Sequence, residues 1–208
     1  MSASGEPITF DSGGLTLEGR LHLPAGPSMA AVAVCHPHPL YGGDMNNNVV
    51  VALCRALTDA GVAALRFNFR GVGGSQGTHS GGAGERDDAL AALDCLESRG
   101  FTVLALAGYS FGAVVALAAG VDARVRGLAA VSPPVGLAPA DPPEGLATVL
   151  LVTGARDDVA PASGVRERAD QLGQRCRVEI IDGADHFWWG NERPLVESVV
   201  PFLVGALK

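Results

Sequence analysis

The sequence is poor in the features that mark nucleic-acid-binding, membrane and secreted proteins. Only 18% of its 208 residues are charged, and 22 acidic against 15 basic residues give a net charge of −7 without any basic run. Nucleic acids and anionic membranes bind concentrated basic surfaces, so we expect neither as a partner. No apolar stretch approaches the roughly 18 residues of a membrane span, and the N-terminus lacks the basic flank and apolar segment of a signal peptide. These absences favour a cytoplasmic protein.

Cysteine is also scarce, and its four positions are scattered without a C-x-x-C pair. Zinc ribbons and thioredoxin-like motifs need close pairs, so neither fits. Two disulfides in a secreted protein are the alternative reading of an even count. Cys35, however, ends an apolar run, and Cys54 and Cys95 fall on helical faces, which is typical of buried thiols. We predict four free cysteines.

What the sequence does contain is a regular alternation of strand-like and helix-like segments. Hydrophobic residues make up 48% of the chain, enough for a full core at this length. Alternating strands and helices predict a mostly parallel sheet covered on both faces, so we expect one α/β domain over residues 1–208. The predicted strands are Ile8–Phe10, Leu15–Leu23, Ala30–Cys35, Val62–Phe67, Val103–Ala107, Val125–Val131, Val149–Thr153 and Arg177–Ile181. The first predicted helix begins after the capping residues Asn46–Asn48. The other predicted helices are Glu85–Arg99, Phe111–Ala119, a short helix marked by Val165, Ala169 and Leu172, and Leu195–Leu203.

The segment Gly108-Tyr109-Ser110-Phe111-Gly112 stands where an apolar strand runs directly into an apolar helix. A serine hydroxyl is lifted clear of a sheet by a very sharp strand-to-helix turn, and glycines on both sides avoid collisions there. The same turn directs the Phe111 N–H and the helix N-terminus towards an anion forming beside Ser110. We therefore predict that Ser110 is a nucleophile, against the alternative of a purely structural turn.

Two later loops offer the partners that a serine nucleophile needs. One follows a predicted strand and contains Gly154, Asp157 and Asp158, and the next such loop contains Asp185 and His186. Both loops open at the carboxyl edge of a parallel sheet, as Ser110 does, and ligands bind at that edge. The chain order serine, aspartate, histidine predicts a triad in which a carboxylate orients an imidazole base.

Together these motifs resemble the α/β-hydrolase superfamily, in particular its small bacterial branch related to dienelactone hydrolases. The resemblance runs over nearly the whole chain and includes the serine elbow, the Gly154–Pro161 segment, the Asp185-His186 pair and the Phe69–Ser75 segment. By the Gly-x-x-Asp pattern it assigns the triad carboxylate to Asp157 rather than Asp158. The nucleophile here is serine where dienelactone hydrolases have cysteine, so their cyclic-ester specificity does not carry over.

The resemblance also places the segment from His36 to Gly43 where the family has the loop that supplies the second oxyanion-hole N–H. Prolines 37 and 39 have no N–H, so we expect the Leu40 N–H to be the second oxyanion donor beside that of Phe111, with the Tyr41 N–H as the alternative. His36 and His38 alternate as a metal pair would, but no acidic or thiol partner lies at ligand spacing. We expect them to brace this loop, and we expect no metal and no cofactor.

The sequence therefore predicts a cofactor-free hydrolase that cleaves small-molecule carboxylic esters through an acyl-enzyme. A thioesterase on the same triad and a non-catalytic binding protein of the same fold are the alternatives. We expect Tyr41, Tyr109, Phe187 and Trp188 to line the substrate site, although the aromatics at 187–189 can equally pack the last helix. The loop Ser132–Leu146 holds five prolines, which argues against a helical cap. A homodimer is an alternative way to complete the substrate wall.

Overall fold

The computed structural model describes residues 5–137 and 148–208, which form one eight-stranded sheet flanked by helices. The sheet order is β1-β2-β4-β3-β5-β6-β7-β8. The strands β3 to β8 are mutually parallel, while β2 pairs antiparallel with both β1 and β4. The strands are β1 Glu6–Ser12, β2 Leu15–His22, β3 Ala30–Cys35, β4 Ala63–Phe67, β5 Val103–Tyr109, β6 Val125–Val131, β7 Thr148–Gly154 and β8 Cys176–Ile181.

Five α-helices cover the two faces of this sheet. They are α1 Asn48–Asp59, α2 Ala83–Ser98, α3 Phe111–Ala119, α4 Ala162–Leu172 and α5 Glu192–Ala206. Helices α2, α3 and α4 pack on one face, and α1 and α5 pack together on the other. The sheet is thus buried on both sides, which explains why its central strands are continuous apolar runs. The predicted α/β architecture is confirmed.

Local sequence signals account for several helix boundaries. The side chain of Asn47 accepts a hydrogen bond from the Val49 N–H at 3.0 Å and so begins α1. Gly61 and Gly100 adopt positive φ directly after the C-caps of α1 and α2, which ends these two helices. Helix α5 continues through Pro201 to Ala206. In the described residues, no helix is long and apolar enough to cross a bilayer.

The structure describes the proline-rich loop only in part, but it describes all four cysteines. Of the proline-rich loop Ser132–Leu146, residues 138–146 lie outside the described residues, and a short 3₁₀ turn occupies Val135–Leu137. All four cysteines are described and free, as predicted; three are buried and Cys176 is half-buried.

The direction of the connections reverses between the neighbouring strands β3 and β5. The chain leaves β3 towards α1 on one face and leaves β5 into α3 on the other. Such a switch point opens a crevice at the carboxyl edge of a parallel sheet, where ligands bind in this class of fold. The His36–Gly43 loop and the Ser110 turn both start at this crevice.

Candidate active site

The turn at Ser110 is sharp and strained. Ser110 has φ 55° and ψ −120°, in a region that residues with a side chain rarely adopt. Neither flanking glycine has room for a Cβ atom. At Gly108 it would collide with the Gly112 carbonyl, and at Gly112 with the carbonyls of Cys35 and His36. The two glycines thus let the strand, the helix and the loop after β3 meet around Ser110.

The three predicted triad residues meet at the carboxyl edge of the sheet. Ser110 Oγ lies 3.1 Å from His186 Nε2, and His186 Nδ1 lies 3.0 Å from each carboxylate oxygen of Asp157. All three residues are buried, with Ser110 and His186 each retaining 8% exposure. An ionised carboxylate can only accept, so Nδ1 carries the proton and Nε2 is free to take one from Ser110. This arrangement can activate a serine hydroxyl as a nucleophile.

Asp157 is held by its own loop. Its Oδ1 accepts the N–H groups of Val159 at 2.9 Å and Ala160 at 2.7 Å, and its Oδ2 accepts the Thr153 hydroxyl at 3.2 Å. Burial acts to raise the pKa of Asp157, but hydrogen bonds from His186, the Ala160 N–H and Ser132 outweigh it and leave the pKa below its usual value. The carboxylate therefore stays ionised, and the neighbouring Asp158 points to solvent.

Ser132 and Trp188 support this carboxylate from behind. Trp188 Nε1 donates to Ser132 Oγ at 2.9 Å, and Ser132 hydrogen-bonds Asp157. Among the described residues, Ser110, Ser132 and Trp188 are the only non-glycine residues with positive φ. Backbone strain in this chain is thus concentrated around the triad. Sequence reasoning missed Ser132, whose only signal was its position directly after strand β6.

The predicted substrate-lining role of Trp188 is wrong, and Tyr109 is also placed elsewhere. Trp188 is completely buried against α5, so the packing alternative holds for this residue. Tyr109 is 3% exposed, and its hydroxyl donates to the His186 carbonyl at 2.7 Å. Tyr109 thus fixes the histidine loop instead of offering its ring to a substrate.

Phe187 and Tyr41 do lie at the open surface of the site. Phe187 is 60% exposed, and its ring centre lies 5.8 Å from that of His186. Tyr41 is 88% exposed, and its ring packs at a tilt of 59° against that of His38, with the ring centres 4.9 Å apart. Trp189, which follows the buried Trp188, is exposed as well. The rings of Phe187 and Tyr41 thus form an open, partly apolar rim beside His186 and His38.

Phe111 and the loop after β3 carry the N–H groups closest to the serine turn. Phe111 is the first residue of α3, and no acceptor for its N–H occurs among the described residues. An N–H at this position is one of the unsatisfied donors of a helix N-terminus and attracts negative charge. The structure therefore leaves the Phe111 donor available, as its predicted role requires.

The Leu40 and Tyr41 N–H groups, in contrast, already have acceptors. Residues Pro39–Tyr41 form a 3₁₀ turn capped by His38. The Leu40 N–H donates to His38 Nδ1 at 3.2 Å, and the Tyr41 N–H donates to the His38 carbonyl at 3.1 Å. Neither N–H can meet an oxyanion without first breaking that bond. The prediction of Leu40 as second donor, with Tyr41 as alternative, is corrected by this turn.

His38 carries the remaining backbone N–H of the segment 37–41, and this N–H is free to bind an oxyanion. Prolines 37 and 39 have none, and no acceptor for the His38 N–H occurs in residues 5–137 and 148–208. The His38 ring packs 4.8 Å from the ring of Phe111, which brings the two residues side by side. Two unused N–H groups thus belong to neighbouring residues at the switch point.

His36 braces this loop, as the sequence suggests. Its Nε2 accepts the Phe69 N–H at 3.1 Å, so its Nδ1 carries the proton and donates to the Pro37 carbonyl at 2.6 Å. Burial lowers the pKa of His36 to about 4, which keeps the ring neutral. Across the described residues, no three His, Cys, Asp or Glu side chains are arranged to hold a metal ion.

Comparisons with known proteins agree with this geometry. No family model matches the sequence. A curated protein of Rickettsia prowazekii (strain Madrid E), uncharacterized protein RP471, is 34% identical over 200 residues, which cover 90% of this chain and 84% of that protein. An α/β serine hydrolase homologue from Coxiella burnetii is 35% identical, with a TM-score of 0.88 over 97% of this chain and 98% of that one.

A second solved structure, XC6422 from Xanthomonas campestris, is described as an α/β serine hydrolase without a lid. It is 29% identical and superimposes with a TM-score of 0.90 over 100% of this chain and 97% of that one. The identity to the Coxiella protein over nearly the full length of both chains shows the family. The chain belongs to the α/β-hydrolase superfamily, in its small lidless branch.

Proposed function

We propose that this protein is a serine hydrolase that cleaves carboxylic esters of small molecules through a covalent acyl-enzyme. The observation that carries the proposal is the unbroken chain of hydrogen bonds from Ser110 Oγ through His186 to Asp157. A structural serine needs no such base, and a binding protein of the same fold needs no such chain.

In the first half of the reaction, Ser110 Oγ attacks the ester carbonyl while His186 Nε2 takes the hydroxyl proton. The tetrahedral intermediate then collapses, and His186 returns that proton to the departing alcohol, which leaves Ser110 acylated. Asp157 stays ionised throughout and stabilises the imidazolium. Its lowered pKa suits that role.

In the second half, water takes the place of the alcohol. His186 removes a proton from the water as it attacks the acyl carbonyl, and then protonates Ser110 Oγ as the carboxylic acid leaves. No cofactor takes part in either half. A thioester would follow the same route with a thiol as leaving group, so a matched ester and thioester pair distinguishes the two substrate classes.

The oxyanion formed in both halves is held by the N–H groups of Phe111 and His38. Both donors lack an acceptor among the described residues, and their rings pack against each other. Donors fixed before the reaction stabilise developing charge without reorganisation, and each contributes about 10² to 10³ in rate.

The test is active-site labelling with a fluorophosphonate, which reacts only with an activated serine. We expect the wild type to be labelled once, at Ser110, and to hydrolyse p-nitrophenyl acetate. Ser110→Ala should lose both properties while remaining folded by circular dichroism, and Ser98→Ala, at the end of α2, is the matched control. Labelling that survives in Ser110→Ala, or an unlabelled and inactive wild type, would refute the proposal.

A further inference from the structure

A cavity lies away from the serine, beside the antiparallel strands β1 and β2. It has a volume of about 1100 Å³ and is walled by β1, the end of β2, the loop 23–27 and the second half of α1. None of the triad residues lines it. His22, at the end of β2, pairs with Ala64 near the start of β4, whereas Ser110 follows the end of β5. The cavity therefore lies towards the opposite edge of the sheet from Ser110.

His22 presents a hydrogen-bond donor to this cavity. Arg66 Nε donates to His22 Nε2 at 3.0 Å, and a guanidinium cannot accept a hydrogen bond. His22 Nε2 must therefore be the acceptor, so the proton of the neutral ring is on Nδ1. His22 is only 4% exposed and lines the cavity, and its Nδ1 has no partner among the described residues.

Arg66 is itself held in place by hydrogen bonds, so the orientation of the His22 ring is fixed as well. Its Nη1 donates to the Met45 carbonyl at 2.9 Å and to Asn46 Oδ1 at 2.7 Å, and the residue is 5% exposed. Burial, followed by the nearby guanidiniums of Arg66, Arg55 and Arg20, lowers the pKa of His22 to about 4. The ring is therefore neutral at pH 7 and carries its proton on Nδ1, the ring nitrogen that does not contact Arg66.

Two further guanidiniums line the same cavity without an acidic partner. Within the described part of the chain, neither Arg20 nor Arg55 has a carboxylate oxygen within 4 Å, and Arg20 donates only to the Gly5 carbonyl at 3.3 Å. Glu6 and Asp59 also line the cavity but pair with neither arginine. The guanidiniums of Arg20 and Arg55 and the Nδ1–H of His22 are thus donors on one cavity wall without a carboxylate partner, and such donors favour an anionic oxygen group.

We propose that this cavity binds a small molecule through a carboxylate or phosphate group held by Arg20, Arg55 and the Nδ1–H of His22. Leu21, Leu23 and Pro24 add apolar surface to the same wall, which can cover the ligand's uncharged part. The proposal does not depend on the hydrolase reaction, because the two sites share no lining residue.

The first test is calorimetric titration with inorganic phosphate and, separately, with citrate, at constant ionic strength set with sodium chloride. We expect saturable binding of at least one anion to the wild type, and a dissociation constant about tenfold higher in Arg55→Gln and in Arg20→Gln. Preference between the two anions tells a phosphate site from a carboxylate site. Arg126→Gln, an exposed arginine on β6, is the matched control and should bind as the wild type does.

Two results would overturn the proposal: no saturable binding of either anion, or equal loss of affinity in Arg126→Gln and Arg55→Gln. A second measurement follows His22 directly in the ¹⁵N-labelled wild type. Long-range ¹H–¹⁵N spectra should show a neutral ring protonated at Nδ1 whose signals move on titration with the bound anion. An Nε2–H tautomer, or ring signals that stay fixed at saturation, would contradict the assigned donor.

Discussion

Trp188 donates its indole N–H to the hydroxyl of Ser132, 56 positions earlier in the chain, across a distance of 2.9 Å. Both residues have positive φ, and Trp188 is completely buried. Ser132 in turn hydrogen-bonds Asp157, so an aromatic residue of the histidine loop supports the carboxylate that orients His186. The carboxylate and the base are thus fixed by the same small network.

The first prediction concerns this network. Trp188→Phe keeps an aromatic ring in the core but leaves the buried Ser132 hydroxyl without its donor, which costs about 1–3 kcal/mol of stability. We expect a lower free energy of unfolding in urea and a lower kcat for p-nitrophenyl acetate. Trp189→Phe is the matched control, because Trp189 is 72% exposed. Equal behaviour of the two variants would show that the network is unimportant.

The second prediction separates the two adjacent aspartates. Asp157→Asn places an amide next to His186 Nδ1 and favours the wrong imidazole tautomer, so we expect kcat to fall about 10⁴-fold. Asp158→Asn alters an exposed side chain and should change kcat by less than about twofold. Steady-state kinetics on p-nitrophenyl acetate measures both variants. The opposite ranking would transfer the carboxylate role to Asp158.

The third prediction tests His38 as an oxyanion donor through its backbone. Its φ of −58° and ψ of 123° suit a proline, so His38→Pro removes the N–H with little backbone strain. His38→Ala removes the same ring but keeps the N–H. We expect kcat for p-nitrophenyl acetate to be about 10² to 10³ lower in the proline variant than in the alanine variant. Similar kcat values would show that the second oxyanion donor is an N–H group other than that of His38.

The sequence predicted the parts of this site that follow from local rules. The bounds Phe111–Ala119 were predictable because a glycine-flanked serine separates an apolar strand from an apolar helix, and the structure confirms them. The prediction of Leu40 as the second donor was wrong because its N–H donates to a ring nitrogen of His38, and no sequence pattern indicates such a hydrogen bond. Trp188 was ambiguous because three consecutive aromatics carry no periodicity that tells the buried one from the exposed ones.

The fourth prediction is a pH dependence of stability that comes from His36. Its folded pKa of about 4 lies below the unfolded value of 6.5, so the unfolded chain binds a proton that the folded chain refuses. Stability is therefore full above about pH 6.5 and falls as the pH drops towards 4, by an amount on the order of 3 kcal/mol. Urea unfolding at pH 7.5 and pH 5 measures the loss.

The matched variant for this measurement is His36→Gln, whose side chain can still accept the Phe69 N–H but does not titrate. We expect its free energy of unfolding to be lower than that of the wild type at pH 7.5 and to change less between pH 7.5 and pH 5. An equal pH dependence in both proteins would assign the effect to other groups, of which the buried His22 is the first to examine.

The last prediction is that the enzyme prefers short acyl chains. The side chains at the rim of the site, Leu40, Tyr41 and Phe187, are between 60% and 88% exposed, so they form an open edge rather than a tunnel. In a tunnel each additional buried CH₂ would contribute about 0.8 kcal/mol, close to fourfold in kcat/KM. On an open rim most of that surface stays in water, and the gain should end after a few carbons.

The measurement is kcat/KM for p-nitrophenyl esters from acetate to palmitate, each below its aggregation limit. We expect kcat/KM to level off or fall beyond a short acyl group, and Phe187→Ala to weaken the preference among the short esters that reach its ring. A homodimer that covers the rim would instead extend the apolar wall, and then the chain-length profile would change with protein concentration. A steady rise to palmitate at all concentrations would contradict the open-rim interpretation.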